Sequence, residues 1–263
     1  MLAVTLMASI ACFAQGKLAT SIPGGMPLGK EFNYLELKYK VLDNSKGYTV
    51  EVIGFADAFV ADPSQFDKAE EGVEIKTHNT VTISHIIGES DKVQVKTYIA
   101  RVADGALNTD NATLAAKVTA LEIDYSDDIT ATAPVIIGEN AFAGLTSLTT
   151  VESFIPGAKV TAISNNSFAT NVYKTATLIV PEGSLAKYAN TNGWKKFYRK
   201  SDGNVMLGDI YKDGKFNSFD ITKMRKAVGV TYTDDYLVYD ITGDGKINSF
   251  DLTALRKMIA GTY

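Results

Sequence analysis

Cysteine is nearly missing from this chain: Cys12 stands alone among 263 residues, beside only two histidines, His78 and His85. Unless Cys12 itself survives processing, that scarcity excludes a disulfide framework, a cysteine-based zinc site and a Cys–His nucleophile pair. Positive charge is not in excess either. With 26 Lys+Arg against 30 Asp+Glu and a net charge of −4, there is no electrostatic case for nucleic acid as a partner. Long apolar runs are absent as well. Met1–Ala14 is too short to span a bilayer, and no later run is long enough. What remains is a folded-protein composition, 46% hydrophobic and 21% charged, in a length that allows one large domain or a few small ones.

Met1–Ala14 is uncharged and apolar, with polar sequence from Gln15 onward, and suits the h-region of a secretory signal cut after the small Ala14. No Lys or Arg precedes Lys17, so the expected basic start is missing, as it is when a signal is truncated. A lipoprotein signal ending at Cys12, or a buried N-terminal helix, are the alternatives. Export predicts a protein that is secreted or held on a bacterial cell surface.

Residues 30–105 read as a β-rich module. Apolar residues of Glu31–Val41 repeat mostly at period two, and the turn Asp43–Gly47 leads into Tyr48–Phe55, which predicts a β-hairpin. Val73–Lys76, Thr80–Ile86 and Lys92–Val102 are further strand candidates. His78 and His85, an odd number of residues apart on an extended stretch, point to opposite faces and form no ligand pair.

Residues 106–200 contain self-similarity. Ile137–Phe142 (IGENAF) and Ile163–Phe168 (ISNNSF) share Ile, Asn and Phe positions, at a spacing inside the roughly 20–29 residues of leucine-rich repeats. Between them Leu145, Leu148 and Val151 are spaced like an inward row. The strand Thr177–Gly183, ending in Pro-Glu-Gly, precedes Tyr188, Trp194 and Phe197, and Ser184 is placed to cap the helix between. These features, with the Tyr39–Val52 stretch, resemble BspA-type leucine-rich repeats of bacterial surface proteins. The resemblance implies a short solenoid closed by a strand and a small helix, with a glycan or host protein as its ligand.

The most specific pattern is C-terminal. Asp209-Ile-Tyr-Lys-Asp213-Gly-Lys-Phe-Asn217-Ser-Phe-Asp220 recurs as Asp240-Ile-Thr-Gly-Asp244-Gly-Lys-Ile-Asn248-Ser-Phe-Asp251. Calcium takes six to eight oxygens at about 2.3–2.6 Å, and a short loop can supply them in series. Asp209, Asp213 and Asp220 in one copy, and Asp240, Asp244 and Asp251 in the other, occupy positions 1, 5 and 12. Position 6 is glycine, position 7 offers the carbonyl of Lys215 or Lys246, and position 9 is Asn217 or Asn248. At position 3 Thr242 offers a hydroxyl, while Tyr211 is too long to ligate, so the second site is expected to be the tighter of two. A helix follows each loop, Ser218–Val228 and Ser249–Ile259, with Gly229 and Gly261 as terminators.

A loop plus a single helix, present twice, resembles the type I dockerin domain, here over residues 203–263. The resemblance implies two Ca2+ ions and a cohesin-like module as partner. It also implies that loop positions 10, 11, 17 and 18 contact that partner: Ser218, Phe219, Arg225 and Lys226, and their repeats Ser249, Phe250, Arg256 and Lys257. Periodicity alone favours the core for Phe219 and Phe250, in line with Met224 and Val228 and with Leu255 and Ile259.

No Gly-x-Ser-x-Gly elbow, Gly-Lys-Ser/Thr phosphate loop or His-Glu-x-x-His occurs. The reading is therefore an α+β protein: a β-rich module running into a short leucine-rich solenoid, followed by a small all-α calcium-binding tail. Its expected role is non-catalytic docking in a polysaccharide-degrading or cell-surface assembly. A surface adhesin whose tail is only structural is one alternative, and a small glycoside hydrolase carried by its dockerin is the other.

Overall fold

The structure, a computed structural model, describes residues 22–45, 47–62, 79–84, 86–87, 97–126, 134–230 and 236–261. Met1–Ala14, Cys12, His78, His85 and the strand expected over Val73–Lys76 lie outside the described residues. The protein is mixed α/β, with two sheets and a few helices.

The first sheet opens with β1 (Glu31–Tyr34), β2 (Leu37–Asp43) and β3 (Tyr48–Phe55), all antiparallel neighbours. The run expected as one strand over 31–41 is two. Its alternation slips where Tyr34 and Leu35 stand side by side, and the chain turns there, with Leu35 at φ +50 and Tyr34 facing Leu37. The hairpin expected at Asp43–Gly47 is present, and the Asp43 carboxylate accepts from Ser45 N and Ser45 Oγ, both at 3.0 Å. Leu37, Tyr39, Val41, Tyr48, Val50 and Val52 are buried, as period two requires of a strand with one face on the core. Beyond β3 the sheet changes sense. β6 (Thr97–Val102) runs parallel to β3, β8 (Ile136–Ile137) runs parallel to β6, and β5 (Ile86–Ile87) pairs antiparallel with β6.

The second sheet is parallel throughout: β4 (Thr80–Ile83), β7 (Ala120–Ile123), β9 (Thr150–Ser153), β10 (Thr177–Ile179) and β11 (Arg199–Ser201). The stretch expected as one strand over 80–86 is thus divided between sheets, β4 in the second and β5 in the first. Thr80, Ala120, Thr150, Thr177 and Arg199 stand in one line across it. Val81, Leu121, Val151 and Leu178 form the buried line beside them. Lys200 takes the next place in that buried line. Its ammonium donates to Phe197 O, and burial pushes its pKa down to about 7.

Parallel strands need long crossovers. The crossovers that lead into β7 and β10 carry the helices α2 (Ala112–Lys117) and α3 (Thr170–Thr175), while α1 (Asp57–Ala61) follows β3. The two copies of the Ile–Phe motif lie on one another: Phe142 N donates to Ser167 O at 2.8 Å, and the Phe142 and Phe168 rings are 4.9 Å apart. Leu145, Leu148 and Val151 are buried, as their spacing predicts.

After β10 comes α4 (Leu185–Asn190), then a single 3-10 turn (Trp194–Lys196), then β11. Phe168, Tyr173, Tyr188, Trp194 and Phe197 pack ring against ring here, with centroids 4.9–6.4 Å apart. Each such pair adds about 0.5–1.5 kcal/mol beyond its burial. Polar tips are satisfied inside: Trp194 Nε1 donates to Thr161 O at 3.0 Å and Tyr188 OH to Ile155 O at 2.8 Å. Burial raises the Tyr173 hydroxyl to about 12 and the Tyr188 hydroxyl further still. Ser184 does not cap α4 with its side chain. Its backbone is already helical, at φ −94 and ψ −11, so its hydroxyl faces away and accepts from Gly157 N at 2.9 Å.

One buried cluster runs from Met26 to Leu207, with no break near residue 105. A second, smaller one runs from Ile210 to Leu255. Val205 packs against both.

Candidate metal centre

The second cluster holds the two aspartate loops. Each leads into a helix, α5 (Ser218–Ala227) and α7 (Ser249–Ala260), with the one-turn α6 (Tyr236–Tyr239) between. Asn217 and Asn248 are the N-caps, and their Oδ1 atoms accept from Phe219 N at 2.8 Å and Phe250 N at 2.7 Å. Three residues into each helix, Asp220 and Asp251 return the contact, accepting from the Asn217 and Asn248 backbone N–H at 2.9 Å each. This capping box satisfies orphan amides at both helix starts and turns the position-12 carboxylates inward.

Asp220 and Asp251 have no exposed surface. A carboxylate so buried needs partners. Asp220 Oδ1 accepts from Ile210 N and Tyr211 N at 2.9 and 3.0 Å. Asp251 Oδ1 accepts from Thr242 N and Thr242 Oγ1 at 3.0 and 2.9 Å. The position-1 residues Asp209 and Asp240 tie their own loops, accepting from the amides of positions 5 and 6 at 2.8–3.1 Å. Gly214 at φ +74 and Gly245 at φ +80 supply the sharp turn at position 6. Asp213 and Asp244 are exposed, and each accepts from the amide two residues on, Lys215 N at 3.0 Å and Lys246 N at 2.9 Å. Ile247 is buried and Phe216 half-buried at position 8, both packed into the second cluster.

In the second loop Asp240, Asp244 and Asp251 bring one carboxylate oxygen each to within 4.8 Å of one another. Among the described residues it is this trio that closes so tightly; Asp209, Asp213 and Asp220 do not. Burial, with the charges of Asp251 and Asp244 nearby, raises the Asp240 pKa despite the amides of Gly245 and Asp244 that favour its anion. Carboxylate oxygens carry two acceptor sites each, so those already bound to one amide keep a further lone pair. Hard oxygen donors crowded with like charge fit a divalent cation such as calcium. Position 9 is differently engaged: the Oδ1 of Asn217 and of Asn248 serves the helix cap, and Asn248 Nδ2 donates to Asp244 Oδ2 at 3.1 Å.

Tyr211 lies outside its loop's acid group. Its ring stands 5.7 Å from the Phe219 ring, with Lys223 Nζ 4.3 Å from its centroid. Lys223 and this aromatic pairing were not legible as site residues, although Tyr at a small-residue position was the available signal.

All eight expected contact positions, Ser218, Phe219, Arg225, Lys226, Ser249, Phe250, Arg256 and Lys257, are exposed. The core expectation for the two aromatics is overturned: Phe219 is 61% and Phe250 69% exposed. Five residues separate Phe219 from Met224, and five helical residues rotate the side chain about 140° away from the face that Met224 occupies. Met224 and Ala227, and Ala254 and Leu255, fill the core instead.

No helix among the described residues is long and apolar enough to cross a membrane. No curated protein and no solved structure matches the chain. Residues 207–260, the span of both loops and their helices, match the family described as dockerin type I domain, which carries calcium binding and protein–protein docking to this segment.

Proposed function

We propose that this is a secreted, non-catalytic, calcium-binding modular protein whose tail docks to a cohesin-like module in a polysaccharide-degrading or cell-surface assembly. The observation that carries the reading is the pairing of ligand and surface in each repeat. One helix start turns its aspartate inward to the loop and its Ser-Phe outward to solvent. Two calcium ions are expected, the second bound by Asp240, Asp244 and Asp251 with help from the Lys246 carbonyl, and the first, weaker one by Asp209, Asp213 and Asp220. When bound, calcium supplies the positive charge that offsets repulsion among these carboxylates. The tail's own residues then present the docking face: Phe219 and Phe250 as aromatic anchors, Arg225, Lys226, Arg256 and Lys257 as the basic rim.

Immobilised recombinant cohesin modules test the docking. Binding in calcium that is abolished by EGTA and by a Phe219→Ala/Phe250→Ala double change is the expected result. Calcium-independent binding, or none to any module, would count against it. Turnover on a polysaccharide panel would overturn the non-catalytic part.

The upstream body is read as a short solenoid of the leucine-rich type. The in-register parallel strands β7, β9, β10 and β11 and the stacked Ile–Phe motifs support this. That geometry also favours a second reading, a ligand-binding surface on the body itself. Thr82, Glu122, Glu152, Ile179 and Ser201 line up half-buried on the outward side of the parallel sheet. Phe154, two residues past Glu152, is exposed. Glycan or host-protein binding lost in Phe154→Ala but kept in the Phe219/Phe250 double variant would favour this adhesin-like role.

A further inference from the structure

Loop position 4 has the same left-handed backbone in both repeats but different residues, Lys212 at φ +57 and Gly243 at φ +72. Lys212 shows that this conformation does not by itself demand glycine here. The neighbour differs. A Cβ on Gly243 would stand 2.7 Å from Ala186 O and 3.0 Å from Ala189 Cβ, both on α4. The second loop therefore lies against the cap helix at a separation that only a residue without a side chain permits.

Other contacts join the tail to the upstream body. Lys174 Nζ donates to Gly261 O at 3.5 Å, where the C-terminal end of α7 favours a cation. The Arg199 guanidinium stands 5.9 Å from the Phe216 ring centroid. Met206 bridges Ser201, and Val205 packs into both cores. First loop, second loop and last helix each contribute, so the tail meets the body as a block.

Gly243 sits between Asp240 and Asp244, and its N–H donates to Asp240 O at 3.3 Å. The backbone that rests on α4 is thus the backbone that spaces the clustered carboxylates. We propose that the second loop is a calcium-dependent latch: ordering of Asp240, Asp244 and Asp251 about calcium and seating of Gly243 on Leu185–Asn190 are one linked event. Calcium then sets how rigidly the docking tail is held on the upstream body. The proposal rests on the calcium reading above and adds its control over the joint. Linkage is reciprocal, so the seated helix raises second-loop affinity by the factor that calcium strengthens the seat, within the usual range of about 5- to 150-fold.

Hydrogen exchange on the full chain, in calcium and in EGTA, tests the latch alongside calcium calorimetry. Protection of amides in 185–190 is expected to rise with calcium. Gly243→Asn is the discriminating variant, because Asn tolerates the left-handed backbone while its side chain meets α4. It should lose the calcium-dependent protection of 185–190 and bind calcium about fivefold or more weakly at the second loop, at the low end of that range, with Lys212→Asn unchanged. Calcium binding with 185–190 unaffected in the natural chain, or a Gly243→Asn variant like the natural chain, would overturn the latch alone. No calcium binding at all would overturn the latch and the calcium reading together.

Discussion

The two aspartate loops have the same acidic positions, the same position-6 glycine, the same capping asparagine and the same capping box. Their surroundings separate them. In the first, Tyr211 leaves position 3 to lie beside Phe219 and under Lys223. In the second, Thr242 stays inside and donates to Asp251, Ala254 stands where Lys223 does, and Gly243 rests on α4. A duplicated ligand register thus acquires two characters from the residues between the ligands. One loop holds a converged acid trio against the body, the other an aromatic–cation patch at the surface.

The comparison breaks most completely at Asp251. Asp251→Ala should strand the amides of Thr242 and Asn248 and remove the second trio, with a loss of about 3 kcal/mol or more from the tail. Circular dichroism of the full chain should show the α7 helicity lost, and retained helicity with normal stability would contradict the account. Lys200→Met tests the body against the tail. The folded pKa near 7 lies below the unfolded value of about 10.4. Below pH 7 both states hold the proton and the burial penalty is complete; between about 7 and 10.4 stability rises with pH as the folded state alone sheds it. Removing the charge should stabilise the chain by about 1–4 kcal/mol near pH 6, with the gain shrinking toward pH 10 in denaturant melts. A gain that does not change with pH would mean that Lys200 keeps its proton when folded.

Tyr211→Asp should give position 3 of the first loop a ligand oxygen that Tyr211 does not offer, raising its calcium affinity about tenfold by added ligand charge, as read by calorimetry. An unchanged affinity would place the weakness elsewhere than position 3. Smallest in stability are Phe219→Ala and Phe250→Ala. Phe250→Ala should shift the melting free energy by no more than about 0.5 kcal/mol, because exposed side chains away from packing contribute little, and Phe219→Ala by up to about 1 kcal/mol, because it also gives up the Tyr211 ring. A large loss would return these rings to a structural role.

Much of this was legible in the residues. The hairpin at Asp43–Gly47, the buried Leu145–Val151 row and both loop–helix units follow from alternation, spacing and Asp-x-x-x-Asp-Gly chemistry. The turn at Leu35 and the division of 80–87 between two sheets did not, because pairing partners distant in sequence decide where a strand stops. Phe219 and Phe250 were read inward because an apolar residue near a helix start resembles a core position; the inward-turned Asp220 and Asp251 had already claimed that side. Gly243 was visible as a glycine with no counterpart in the first loop. Its reason, a helix arriving from residues 185–190, is tertiary and lies beyond any local pattern.

Calcium titration of the full chain by calorimetry, beside Asp213→Ala and Asp244→Ala, sets the two loops directly against each other. Two sites are expected, with the tighter one abolished by Asp244→Ala and little altered by Asp213→Ala. Equal sites, or a tighter site that vanishes with Asp213 instead, would contradict that order.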